Sequence, residues 1–179
     1  SAEPHWATYL LDEPLLIAGE QYREIGVKHY CFDPSLAPQG KSSLVVMLRT
    51  PYGYWQRIYG RRLYDTEQQQ VEDVVLDFLE GLYPGLRSQV EVTDVATPLS
   101  YERYTGNWQG SSCGWLLTKE TMTMMIQGMP KTLPRLGNFY MAGQWVEPGG
   151  SVPICAMSGR NAMQLICAAD GRPFVTSEA

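Results

Sequence analysis

The stretch Asn138 to Ile166, NFYMAGQWVEPGGSVPICAMSGRNAMQLI, decides how this 179-residue chain is read. Phe139 to Ala142 is a short apolar run that ends at Gly143, and a loop then passes through Pro148, Gly149 and Gly150. A helix can start at Val152 with Ser151 as its N-cap. The predicted order is strand, glycine turn, helix. Adjacent glycines carry no Cβ, so backbone there can take positive φ and come close to a ligand, while the helix start presents unpaired N–H groups and a partial positive charge. That combination suits an anion or an electron-rich ring edge. Pro153 falls in the first turn, where its missing N–H costs little. Cys155, Gly159, Ala162 and Ile166 recur at helical spacing as a narrow face of mostly small side chains. Spacing alone favours an ordinary strand, loop and terminal helix, because a glycine pair before a helix is common.

Working outward, strands dominate before Lys119. Pro14 to Ala18 and Glu24 to Cys31 read as strands, the second alternating Ile25, Val27, His29 and Cys31 against Gly26, Lys28 and Tyr30. Leu44 to Leu48 is a continuous apolar run typical of a central strand, and the turn-rich DPSLAPQGKSS before it predicts antiparallel neighbours. Thr66 and Gln69 form a capping-box signature. Val71, Val74, Val75, Phe78, Leu79 and Leu82 mark one face of a helix that Pro84 and Gly85 terminate. Val90, Val92 and Val95 suggest another strand. The expected class is α+β: an antiparallel or mixed sheet with a packed amphipathic helix, then a strand-loop-helix C-terminal lobe, divided as residues 1–118 and 119–179. The sheet face opposite the helix is left for a ligand.

Composition fits a globular domain, at 44% hydrophobic and 18% charged residues. With 14 basic against 19 acidic residues and a pI near 5.0, no global attraction to nucleic acid or an anionic surface is expected. Cys31, Cys113, Cys155 and Cys167 form no C-x-x-C pair, so free thiols and no metal site are expected. No apolar run approaches the roughly 20 residues that span a bilayer, and no signal peptide is recognisable, which makes a cytoplasmic setting the expectation.

Aromatic side chains crowd two places: Tyr52, Tyr54 and Trp55 after the central strand, and Tyr101, Tyr104, Trp108 and Trp115 before the C-terminal lobe. The second group could line an elongated apolar cavity or fill a junction, and the two readings stand even. His5 and His29 sit in no nucleophile, base or metal arrangement, and Glu102 with Arg103 reads as a local ion pair, so no residue is assigned catalysis.

The string GQWVEPGGSVPICAMSGRNAMQLI resembles the C-terminal flavin-contacting segment of the phytoene desaturase and carotenoid isomerase family of FAD-dependent oxidoreductases. HYCFDPSLAP (29–38), ATPLSYERYTGNW (96–108) and the Gly114-Trp115 pair are similar to the substrate-domain portion of that family. The resemblance implies that Gly143 and Gln144 meet the ribityl and phosphate region of FAD, and that Gly149, Gly150, Val152 and Pro153 approach the pyrimidine edge of its ring. Many relatives place a carboxylate where this chain has Gln144, so that contact loses charge assistance. The resemblance further implies a lipophilic, polyene-like substrate, carotenoid or retinoid-like, lined by Tyr101, Tyr104, Trp108 and Trp115, and with it a peripheral membrane contact.

A complete enzyme of that family would also carry G-x-G-x-x-G for the pyrophosphate, and that glycine pattern is absent here. The chain opens SAEPHW without an initiator methionine. It is therefore expected to be the C-terminal part of a longer protein, with a missing N-terminal domain as its partner and an apolar surface prone to homodimer formation. The alternative is a free-standing, non-enzymatic domain that binds an apolar ligand or a partner chain.

Overall fold

Ala18 (φ 50°) and Gly19 (φ 78°) both take positive φ, and this two-residue turn joins β1 (Trp6–Ile17) to β2 (Glu20–His29). Positive φ at both central positions gives the hairpin turn whose twist matches that of the flanking strands. Gly19 is also needed for space, because a Cβ there would lie 2.8 Å from the Tyr54 ring. The coordinates are a computed structural model that describes residues 5–115, 118–147 and 149–176. Two compact units divide the chain, Ser1–Gly110 and Ser111–Ala179.

In the first unit β3 (Leu44–Met47) pairs antiparallel with β2, giving the sheet order β1-β2-β3. The fold is α+β, and the sheet is antiparallel rather than mixed. The strand read at Pro14–Ala18 is the tail of the longer β1. Register jumps from Leu10↔Glu24 to Leu15↔Tyr22, so a bulge takes up residues 11–14 where Pro14 has no N–H to give the ladder.

Helices α1 (Tyr52–Gly60), α2 (Tyr64–Leu82) and α3 (Pro98–Thr105) complete this unit. The apolar stripe of α2 packs as its spacing predicts: Val71 joins Ile17, Ala18 and Trp55 in one core cluster, and Leu79 joins Ile25 and Val27 in another. Trp55, from the aromatic group after the central strand, is buried core, its indole N–H donating to Thr50 Oγ1 at 2.9 Å.

Two expectations fail here. The box at Thr66 and Gln69 does not cap α2, which starts three residues earlier, at Tyr64, with Leu63 at the cap position and no side-chain cap. Packing draws the start upstream: the Tyr64 ring meets Trp55 edge-on and its hydroxyl bonds Thr97 Oγ1 at 2.7 Å. Val90, Val92 and Val95 form no strand. Side chains rather than a backbone ladder hold that segment, with Glu91 paired to Lys41, Thr93 donating to Glu72, and the Val95 carbonyl accepting from Gln68.

The second unit carries α4 (Lys119–Gln127) and α5 (Val152–Ala169). Phe139–Ala142, read as a strand, is irregular; among the described residues Met141 N–H donates to the Lys131 carbonyl at 2.8 Å, and no ladder forms. The terminal helix begins where the sequence places it, at Val152 after Ser151. Its buried line centres on Ser158 and Ala162, with Cys155, Gly159 and Ile166 partly buried beside it. The face is thus turned toward Ser158 relative to the small-residue stripe. Among the described residues no helix is long and apolar enough to cross a membrane.

Candidate functional site

A tight turn over Gly143 to Glu147 builds the floor of the site. The Gly143 carbonyl accepts the N–H groups of Val146 (3.2 Å) and Glu147 (3.1 Å), and Gly143 N–H donates to Ser158 Oγ at 3.0 Å. At the other end of the turn Glu147 Oε2 receives Lys131 Nζ at 2.7 Å and Asn161 Nδ2 at 3.4 Å. Ser158 and Asn161 are three residues apart and share a face of α5, so both ends of the turn are fastened to one helix flank.

Beyond the turn the chain climbs to the helix start through Gly149 (φ 116°) and Gly150 (φ 42°). Ser151 takes an extended conformation, yet its side chain makes no cap bond, and Pro153 brings no N–H to the first turn. The first helical bond is Cys155 N–H to the Ser151 carbonyl, at 2.9 Å. The N–H groups of Val152 and Ile154 therefore have no side-chain cap from Ser151, and Val152 is exposed. An uncapped helix start retains the donors and the partial charge that an anionic or carbonyl edge needs.

The glycines serve different ends. A Cβ on Gly143 would meet nothing within 4 Å, and one on Gly149 only Ile154 Cγ1 at 3.9 Å, so open space lies beside both. Gly150 is different: a Cβ there would sit 3.0 Å from the Gly114 nitrogen and 3.2 Å from Cys113 Cβ. Gly114 in turn has the Gln144 carbonyl where its own Cβ would point. Gly150 and Gly114 thus let the 113–115 segment lie against the loop, while Gly143 and Gly149 leave room for a bound group.

Of the aromatic residues singled out by sequence, Trp115 belongs to this loop. Its indole N–H donates to the Trp145 carbonyl at 2.9 Å, and the two indoles meet edge to face at 5.5 Å. Tyr101 and Tyr104 lie on α3 and Trp108 on the short Trp108–Gly110 turn, all in the first unit and all exposed. Glu102 and Arg103 do not pair with each other. Glu102 accepts the Tyr52 hydroxyl at 2.6 Å, a bond that raises the Tyr52 pKa, and Arg103 lies over the Tyr104 ring. His5 packs edge-on against Phe32, and His29 keeps a buried Nδ1 without a partner. The four cysteines are free, and no metal-holding group of His, Cys, Asp and Glu occurs among the described residues.

Sequence reasoning passed over Lys131, Glu147, Ser158 and Asn161, the polar residues that shape the loop. They come from three separate segments, the 131 turn, the glycine turn and α5, and match no motif. Their one signal was a glutamate directly before the Pro-Gly-Gly run. It also passed over an open cleft of about 410 Å³ in the first unit, lined by residues of the β1 bulge, among them Leu11, Asp12 and Glu13, and by Phe78 and Asp77 of α2.

Neither a family model nor a solved structure matches the chain. Curated proteins do. A chloroplastic prolycopene isomerase of Daucus carota is 28% identical over 71% of this chain and 20% of its own length. A 4,4'-diapolycopen-4-al dehydrogenase of Metabacillus indicus is 33% identical over 73% of this chain and 25% of its own. A lycopene-forming phytoene desaturase of Pseudescherichia vulneris is 28% identical over 75% of this chain and 26% of its own. The resemblance read from the residues is thereby shown, and the chain spans about a fifth to a quarter of the length of these relatives.

Proposed function

We propose that this chain, a relative of carotenoid desaturases and isomerases, is part of an FAD-dependent oxidoreductase that acts on a lipophilic, polyene-like substrate. A bound flavin would supply the chemistry by taking or returning hydride. In this reading residues 119–179 return to the flavin domain and residues 1–118 contribute to the substrate domain. Gly143, Gln144, Gly149, Gly150, Val152 and Pro153 hold the cofactor, and Tyr101, Tyr104, Trp108 and Trp115 meet the apolar substrate.

The observation that carries the reading is the uncapped start of α5 beside glycines with positive φ and open space at Gly149. These features fit the carbonyl-rich edge of a flavin ring, which gains electron density on reduction. A helix start stabilises such density by about 0.3–1 kcal/mol, or ~2 when partly buried. For a two-electron couple this is on the order of ten to forty millivolts. The backbone tunes the potential, and the remaining residues position and exclude water.

The test is purification of the full-length protein that contains this sequence. It is expected to carry stoichiometric FAD, whereas residues 1–179 alone bind FAD weakly because no G-x-G-x-x-G segment is present to take the pyrophosphate. A full-length protein that purifies colourless and takes up no added FAD overturns the reading, and leaves the chain as a binding domain for an apolar ligand or partner.

A further inference from the structure

Four ion pairs occur among the described residues, and three of them are solvated. Lys41 with Glu91, and Arg87 with Asp73 and Asp77, have side chains 41% or more exposed. Lys131 with Glu147 stands apart, at 12% and 15% exposure and 2.7 Å. Solvated pairs add little, whereas a largely buried pair costs desolvation and is costly to break from one side, because the remaining charge is left uncompensated.

The pair sits where three segments meet. Lys131 also offers its carbonyl to Met141 N–H, which ties the 131 turn to the segment that enters Gly143. Glu147 closes the Gly143 turn and adds the bond from Asn161 on α5. Only residues 148–151 separate Glu147 from Val152, too short a link to absorb a shift of the turn without moving the two glycines.

We infer that Glu147, held by Lys131 and Asn161, is the positioning residue that sets the glycine loop and the α5 start for their ligand. The inference rests on the flavin reading of that loop. Glu147 does not touch the ligand. It acts by fixing where Gly149 and the N–H groups of Val152 and Ile154 stand.

The experiment uses the full-length protein and measures FAD affinity, together with the visible absorption and circular dichroism of the bound flavin, well below the unfolding temperature. Glu147→Gln and Lys131→Met are each expected to weaken FAD binding at least tenfold and to alter the flavin spectrum. The charge-swapped double variant Lys131→Glu/Glu147→Lys is expected to recover affinity to within about threefold of the parent. Glu147→Asp keeps the charge but shortens the reach. It serves if a single variant does not fold, and an altered flavin spectrum at unchanged thermal stability is the expected result. Affinity within twofold of the parent and an unchanged flavin spectrum in folded Glu147→Gln or Glu147→Asp overturn the inference. Absence of flavin from the parent itself overturns the flavin reading instead, so the two failures are distinct.

Discussion

The hydroxyl of Ser158, fully buried on α5, accepts the backbone N–H of Gly143 at 3.0 Å and so fastens the glycine turn to the helix that follows it. Ser158→Ala removes the acceptor and leaves a half-buried N–H unpaired, at a cost of about 1–3 kcal/mol. Urea unfolding should show that loss, and amide exchange at Gly143 should accelerate. An unchanged exchange rate would mean that the turn is held by other contacts.

Gly149 holds positive φ in the loop before α5, whereas Gly53 and Gly60 sit in a helix. A β-branched side chain resists positive φ, which costs on the order of 1–3 kcal/mol. Gly149→Val should therefore lower the flavin content of the full-length protein far more than Gly53→Val or Gly60→Val, which lie in α1. Gly81 lies inside α2, where a Cβ would meet nothing, so Gly81→Ala should stabilise by about 0.5–1 kcal/mol. Equal flavin content across the valine variants would count against the assigned site.

Glu80 closes the turn after α2, with its two carboxylate oxygens accepting the N–H groups of Gly85 (2.6 Å) and Arg87 (2.7 Å). The backbone bonds from Arg87 and then Gly85 hold its pKa below the ordinary 4.5. A lowered pKa contributes stability that is present above the unfolded value and is lost as pH falls through the folded one. The stability gap between parent and Glu80→Gln should thus be level above about pH 5 and shrink steadily below pH 4.5. A gap that stays constant down to about pH 3 would exclude the carboxylate as the cause.

Tyr54 titrates in the opposite sense. Burial first, and then its hydrogen bond to Glu67, push its pKa from 10.0 up to about 12. A raised pKa contributes stability that is complete below the unfolded value and disappears as pH rises through the folded one, here between 10 and about 12. Tyr54→Phe should be less stable than the parent at neutral pH, and the difference should narrow across that window. Parallel curves in alkaline unfolding would show that Tyr54 ionises normally.

How much of this was legible in the sequence depended on how local the signal was. The stripe Val71 to Leu82, the Pro84 stop and the α5 start after Ser151 depend on spacing and caps within a few residues, and each stands where it was read. The α2 start was misplaced because the contacts of Tyr64 with Trp55 and Thr97 bridge segments up to 33 residues apart. The boxes that do form, Thr97 with Ser100 and Thr118 with Thr121, use a hydroxyl where a Glu or Gln is the usual signal. At the site, the glycines and the helix start showed in the string itself. Lys131, Glu147 and Asn161 became a unit only through folding.

The last expectation concerns the 179-residue chain studied by itself. Met122, Met124 and Ile126 of α4 are exposed, as are Leu133, Leu136 and Phe139 in the segment that follows, so the second unit presents apolar side chains to water. At roughly 25 cal/mol per Å², burying a few hundred Å² of such surface gives several kcal/mol, enough to drive association at moderate concentration. Sedimentation velocity should therefore show a concentration-dependent homodimer joined through the second unit, including residues 138–168. Ile126→Lys and Phe139→Ser should each shift it toward monomer, because a charge or hydroxyl in the contact must be desolvated. Solvated residues of the first unit give the control, and Lys41→Ala should leave the dimer unchanged. A monomer at every accessible concentration, with amides of α5 protected along its length, would show that the second unit covers its own apolar surface in solution.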